Sequence, residues 1–180
     1  RTALLSGILL FTLLFLSFSL KNIQWTTLEG SLKASIVQPN LELEEKWSTG
    51  GVIETKNMIE KAIEQGEEGE IIVFPETALI FSKSEIEEWL AYIDSEARQK
   101  KITLLTGIIE REGQFKVRNR IMGLGMASTH YDKVKLVPFG EFIPFEGLTG
   151  KFFDILGLNL TNTLPGQQIK TIDSGKIRVS

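Results

Sequence analysis

Ile71-Ile72-Val73-Phe74-Pro75-Glu76-Thr77 is an apolar run that ends in a proline and then a carboxylate. β-Branched and aromatic residues without a charge read as a buried strand, and proline stops its ladder. Glu76 therefore stands just past a strand end, where open α/β sheets gather their reactive groups. A second stretch, Tyr131 to Pro144, reads YDKVKLVPFGEFIP. Its alternation predicts a strand over 131–137, with Tyr131, Lys133 and Lys135 on one face and Val134 and Leu136 on the other. The turn Pro138-Phe139-Gly140 then delivers Glu141.

Outward from these two segments, the pattern is that of a layered α/β domain. Val52, Ile59 and Ile63 share one face of a predicted helix over 52–65, which Gly66 ends. Ile86, Leu90, Ile93 and Ala97 recur at helical spacing over 85–100, and Ser84 with Glu87 fits a capping box. Residues 33–37 read as a buried strand, 102–109 as another, and 115–126 as a third, bent at Gly123 and Gly125. Strand, helix, strand, helix, strand and then a run of strands predicts a sheet covered by helices. After Pro165-Gly166, residues 169–172 and 176–180 predict a hairpin around Asp173-Ser174-Gly175. Between these lies a cluster of Phe152, Phe153, Ile155, Leu156, Leu158 and Leu160. It reads either as a short core helix or as an apolar flap that touches lipid.

The N-terminal stretch is different in kind. Thr2–Leu20 carries no charge and is rich in Leu and Phe, with Arg1 and Lys21 on its flanks. Nineteen helical residues span about 28 Å, close to the hydrocarbon thickness of a bilayer. A signal-peptide core is shorter and ends at a small-x-small site, which Leu20-Lys21-Asn22 does not offer. The expectation is a transmembrane helix over 1–21, a membrane-exit linker over 22–32 with Trp25 at the interface, and a folded domain over 33–180. One basic residue on each flank leaves the orientation open. The opening Arg1, and a stop at Ser180 inside a predicted strand, lead us to expect a piece of a longer protein.

Composition removes several functions. Net charge is −3 and no basic run is present, which gives no reason to expect nucleic acid as a partner. The chain has no cysteine, so disulfides and Cys-type zinc sites are excluded within it. A single histidine, His130, excludes a multi-His metal site and reads as a strand or loop residue beside Tyr131. Asn159-Leu160-Thr161 matches a glycosylation sequon, which matters only in a eukaryotic secretory pathway.

Glu76, Lys133 and Glu141 make chemical sense together. A carboxylate can take the proton of a thiol or an incoming amine as general base. An ammonium can stabilise the oxyanion of a tetrahedral intermediate. A second carboxylate can hold that ammonium charged and oriented. These are parts of a thiol-based acyl-transfer site without the thiol. Ser128 and Thr129 carry hydroxyls, but no histidine base stands in a recognisable arrangement with them.

Phe-Pro-Glu-Thr followed by YDKVKLVPFGEFIP resembles the periplasmic domain of the apolipoprotein N-acyltransferase family, a membrane branch of the nitrilase (carbon-nitrogen hydrolase) superfamily. Phe-Pro-Glu is shared widely in that superfamily, whereas Leu-Val-Pro-Phe-Gly-Glu after Tyr-x-Lys is more particular to the acyltransferases. The resemblance extends to Ile36-Val37-Gln38-Pro39-Asn40, to Lys46-Trp47 and to the apolar helix upstream. It implies a nitrilase-like αββα sandwich, incomplete here, behind one transmembrane helix. It also implies Glu76 as general base, Lys133 as oxyanion-stabilising lysine, Glu141 as supporting carboxylate and Trp47 as a functionally important loop residue for substrate. The family's nucleophilic cysteine follows a Pro-Gly and hairpin segment, and the expectation is that it lies just beyond Ser180.

The implied reaction is N-acylation of the diacylglyceryl-cysteine of a bacterial lipoprotein. A phospholipid is the acyl donor and a cysteine thioester the intermediate, at the inner membrane on its periplasmic side, with no metal or organic cofactor. Without the cysteine the 180 residues alone are expected to be inactive. The rival readings are a membrane-anchored amidase or nitrilase that hydrolyses a small amide, and a non-catalytic nitrilase-like binding module.

Overall fold

The computed structural model describes residues 2–21, 23–27, 30–113, 116–144, 162–174 and 178–179. They separate into two units, Arg1–Ser31 and Leu32–Ser180. In the first, the uncharged Leu- and Phe-rich run forms one helix, α1 (Thr2–Leu20). Its described side chains are all exposed, Leu4, Phe11 and Phe18 each by 70% or more. Among the described residues no helix is long and apolar enough to cross a membrane.

The second unit is mixed α/β. Its elements are β1 (Ala34–Ile36), α2 (Leu43–Lys46), α3 (Thr49–Gln65), β2 (Ile71–Val73), α4 (Glu87–Gln99), β3 (Thr103–Glu112), β4 (Lys116–Gly125), β5 (His130–Asp132), β6 (Asn162–Thr163), β7 (Ile172–Asp173) and β8 (Arg178–Val179). β1, β2 and β3 run parallel, as strands joined through helices must, and β4 and β5 follow antiparallel. The order is β1-β2-β3-β4-β5, and β6 pairs with the start of β4. β7 and β8 form a separate antiparallel pair, with Ile172 opposite Val179.

Both helical expectations hold in place but shift in detail. Ser48 caps α3 by accepting from Gly51 N at 3.1 Å, and the buried stripe is Gly51, Thr55, Ile59 and Ile63, with Val52 half-buried beside it. Lys100 donates to the Ile63 carbonyl at 3.1 Å and to that of Glu64, satisfying carbonyls at the end of α3. The capping box expected at Ser84 and Glu87 is formed instead by Ser82 and Glu85, with Ser82 N donating to Glu85 Oε2 at 2.6 Å. The cause is a 3-10 turn, Lys83–Glu85, that precedes α4 and takes Ser84 into its own interior. Leu90, Ile93 and Ala97 then face the sheet.

The core divides by sheet face. Ile59 and Ile63 of α3 and Leu90, Ile93 and Ala97 of α4 pack with Ile72, Leu104, Ile108, Met122 and Leu124. On the other face Ile71, Leu105 and Ala127 pack with Ile172 of β7, flanked by Val73 and Tyr131. One helical layer, one sheet and the start of a second sheet are thus present among the described residues.

Two strand expectations are corrected. Residues 33–37 were expected to be buried, but β1 lies at the sheet edge and leaves Ile36 84% exposed. What anchors β1 is polar: Ser35 donates to the buried carboxylate of Glu70, which also accepts from Glu67 N at 2.8 Å. The strand expected over 131–137 ends at Asp132, after which only Lys133 N continues the ladder, to Asn119 O at 2.9 Å. The hydrophobic cluster at Phe152–Leu160 and the sequon lie outside the described residues.

Candidate active site

Glu76 lies 57 residues from Lys133, and Glu141 only eight, and the three meet at the sheet face opposite α3 and α4. Three local devices bring them there. The first is an interruption of the β2–β3 ladder. Phe74 N bonds Leu105 O at 2.8 Å, and a regular parallel ladder would next place residue 76 on Gly107 O. Leu79 N takes that carbonyl instead, at 2.9 Å, so the residues between bulge outward and carry Glu76 off the strand. Thr77 adopts a left-handed backbone (φ 56°), a strained choice for a β-branched residue. Gly107 lies under the bulge. A Cβ there would sit 2.5 Å from Pro75 O and 2.8 Å from Glu76 C, as well as against Thr77 N.

The second device is the end of β5. Alternation from Tyr131 points Lys133 to the same face, and the next residues leave the sheet. Gly166 N donates to Lys133 O at 2.9 Å, so the 165–166 turn packs on this exit. A side chain at Gly166 would collide with the Asp132 carbonyl.

The third device is the turn 137–142. Glu141 N bonds Val137 O at 2.9 Å, Phe139 N bonds Phe142 O at 2.8 Å, and Phe139 is left-handed (φ 62°). The Glu141 carboxylate folds back to accept from Val137 N at 2.6 Å through Oε2. Val137, Phe139 and Phe142 leave 51%, 58% and 37% of their surface exposed, an apolar lip beside the charged group.

Lys133 Nζ stands between the carboxylates, 3.1 Å from Glu76 Oε1 and 3.0 Å from Glu141 Oε1, with Glu76 Oε2 at 3.5 Å. The Glu141 side chain is 15% exposed, Lys133 26% and Glu76 54%. Burial acts to lower the Lys133 pKa, but the hydrogen bonds and charges of Glu141 and Glu76 outweigh it and hold the value above that of an ordinary lysine. Burial likewise acts to raise Glu141, yet the Val137 N–H, Lys133 and Asn119 bring it below the ordinary carboxylate value. Lys133 is therefore an ammonium and Glu141 a carboxylate at neutral pH.

Asn119 of β4 belongs to the same group and is not one of the residues that the sequence motifs single out. Its Nδ2 donates to Glu76 Oε1 at 2.9 Å and to Glu141 Oε1 at 2.5 Å. The available signal was an asparagine in the middle of a strand, a position where this residue type is depleted. Trp47 follows α2, is 55% exposed, and makes no hydrogen bond to the group among the described residues. Ser128 and Thr129 lie before β5, away from it, and His130 sits in β5 opposite Met122 on the helical face. Burial, and then the Arg120 charge, lower the His130 pKa.

That helical face carries its own ion pairs. Arg120 grips Asp132 through Nε at 2.6 Å and Nη2 at 3.2 Å, and reaches Glu110 at 3.4 Å. A cleft of about 400 Å³ opens there, lined in part by Arg118, Arg120, His130 and Asp132. It contains none of Glu76, Lys133 or Glu141, and the Arg120–Asp132 pair ties β5 to β4 from behind.

Residues 33–171 match the model of the carbon-nitrogen hydrolase family. Among curated proteins, the apolipoprotein N-acyltransferase of Methylococcus capsulatus is 31% identical over 153 residues, covering 83% of this chain and 30% of that protein. Those of Pseudomonas syringae pv. tomato and Azotobacter vinelandii are 31% and 34% identical, each over 76% of this chain. The chain spans 28–30% of the length of these three relatives. Among solved structures, an amidase from Nesterenkonia sp. is similar with a TM-score of 0.40 and 16% identity, over 79% of this chain and 48% of that one.

Proposed function

The chain belongs to the carbon-nitrogen hydrolase family, and from that premise we propose that it is the catalytic domain of an apolipoprotein N-acyltransferase. Its homologues of that name support a role in lipoprotein N-acylation. The observation that carries the chemistry is the Lys133 ammonium held 3.1 Å and 3.0 Å from two carboxylates beside an apolar lip.

The proposed nucleophile is a cysteine thiol supplied from outside these residues, which contain none. Glu76 takes the thiol proton, and the thiolate attacks an ester carbonyl of a phospholipid. Lys133 stabilises the resulting oxyanion. As the C–O bond breaks, the proton passes from Glu76 to the departing alkoxide, giving lysophospholipid and a thioester. The α-amine of a diacylglyceryl-cysteine then attacks the thioester, Glu76 accepts its proton, and the thiol leaves reprotonated. Glu76 suits the role of base better than Glu141. Both oxygens of Glu141 are engaged at 3.0 Å or less, whereas among the described residues Glu76 Oε2 has only the 3.5 Å contact to Lys133, and the Glu76 side chain is half exposed.

In this reading α1, nineteen residues without a charge, anchors the domain in the bacterial inner membrane with the catalytic group on the periplasmic side. Trp47 is proposed to contact substrate. The test is to incubate the complete protein that carries this chain with an acyl-labelled phospholipid and a diacylglyceryl lipopeptide. Label on the lipopeptide, matched by an equal amount of lysophospholipid, is expected. Hydrolysis of small amides with no transfer to the lipopeptide would contradict the assignment.

A further inference from the structure

Resting on that reading, we propose that Asn119 is the positioning residue of the site: it holds both carboxylates on one side and so leaves Glu76 Oε2 and one proton of Lys133 to the reactants. Asn119 touches all three of the other residues. Its main-chain oxygen accepts from Lys133 N at 2.9 Å, and its side-chain amide donates to Glu76 Oε1 at 2.9 Å and to Glu141 Oε1 at 2.5 Å. β4 pairs with strands on both edges, so the residue sits in a central ladder rather than on a loop.

Counting protons gives the role. An amide NH₂ has two hydrogens, and one goes to each carboxylate. A lysine ammonium has three, of which one faces Glu76 Oε1 and one faces Glu141 Oε1. Each of those oxygens therefore accepts twice, from Lys133 and from Asn119. Glu76 Oε2, whose one contact among the described residues is the longer 3.5 Å approach of Lys133, is the oxygen least engaged and is left for proton transfer. The third hydrogen of Lys133, which makes no shorter bond, is left for an oxyanion. A single ammonium between two carboxylates would otherwise leave one net negative charge, and the one other donor, Val137 N, reaches only Glu141 Oε2 among the described residues. A neutral donor supplies the missing bonds without adding a charge that would bind the base too tightly.

The charged surroundings are few. Arg118 and Arg120, neighbours of Asn119 on β4, point to the other face, where they pair with Glu112 and with Asp132 and Glu110. The ionised groups bonded to Asn119 or to its partners, among the described residues, are Glu76, Glu141 and Lys133 themselves.

The test uses Asn119→Leu, which keeps the branching at Cγ and removes the donor, and Asn119→Asp, which keeps the shape and adds a third carboxylate. In the complete protein both are expected to lower kcat at least about 10-fold with KM within about 2-fold, and to move the acidic limb of the rate profile up by about one pH unit. A fall in rate with the limb unmoved would show a merely structural role and overturn the proposal, as would an unchanged rate. A second measurement does not depend on turnover or on any variant. In the 180-residue chain, the Asn119 side-chain NH₂ resonances are expected to titrate together with the Glu76 and Glu141 carboxyl carbons. Independent titration overturns the proposal even where transfer is observed. Joint titration in a protein that transfers no acyl group would instead uphold the role of Asn119 and count against the acyltransferase reading.

Discussion

At the scale of single residues, the pair Lys133 and Glu141 gives the site a defined range of pH. Glu141 titrates below its ordinary value of 4.5, so its contribution to stability is present above about pH 4.5 and is lost as pH falls through the folded-state value. Lys133 titrates above 10.5, so its contribution is complete below about pH 10.5 and is lost as pH rises through its own folded-state value. Between those limits Glu141 is an anion and Lys133 a cation. Glu141→Gln keeps the shape and removes the charge. It is expected to destabilise the fold by roughly 1–3 kcal/mol at pH 7, because the Val137 and Lys133 donors lose a charged acceptor. As pH falls from about 4.5 through the folded-state value the difference narrows, since the carboxyl protonates first in the unfolded chain and then in the native protein. Thermal unfolding of both proteins from pH 7 to pH 3 checks this; a constant gap across that range would count against the proposed bonding.

At the scale of elements, the bulge after β2 is what turns a strand end into a reactive position, and Gly107 permits it. Gly107→Ala drives a methyl into Pro75, Glu76 and Thr77 backbone atoms, which can yield only by moving the bulge. The expected cost is about 1–3 kcal/mol in unfolding free energy, with a displaced Glu76. An unchanged melting temperature would mean that the bulge is not seated as described. The elements themselves were largely legible. Apolar runs marked β2 and β3, and helical spacing marked α3 and α4, because both signals depend on which face is buried. Less legible was whatever depends on partners rather than pattern. Lys133 to Val137 has strand composition but leaves the sheet after one ladder bond, and β1 reads as buried although it lies on an edge. Ser84 and Ser82 both precede α4 with a glutamate three residues on, and only the intervening 3-10 turn decides between them. In the site, Glu76 and Glu141 were found because a proline precedes each closely. Asn119 was missed because a lone asparagine inside a strand has no local motif, and its importance comes from two side chains that arrive from other segments.

At the scale of the whole molecule, a carbon-nitrogen hydrolase domain accompanies an uncharged 19-residue helix, and the matched segment is 28–30% of the length of the three curated relatives. Glu76, Lys133 and Glu141 are proposed as general base, oxyanion stabiliser and supporting carboxylate, acting on a thiol from outside the 180 residues. In that proposal Glu76 and Lys133 perform the transfer rather than brace the sheet. The direct measurement is phospholipid-to-lipopeptide acyl transfer by the complete protein with Glu76→Gln or Lys133→Ala, alongside a melting curve for each. Loss of about 100-fold or more in rate, with the fold retained, is the predicted result. Wild-type turnover in both folded variants would contradict it.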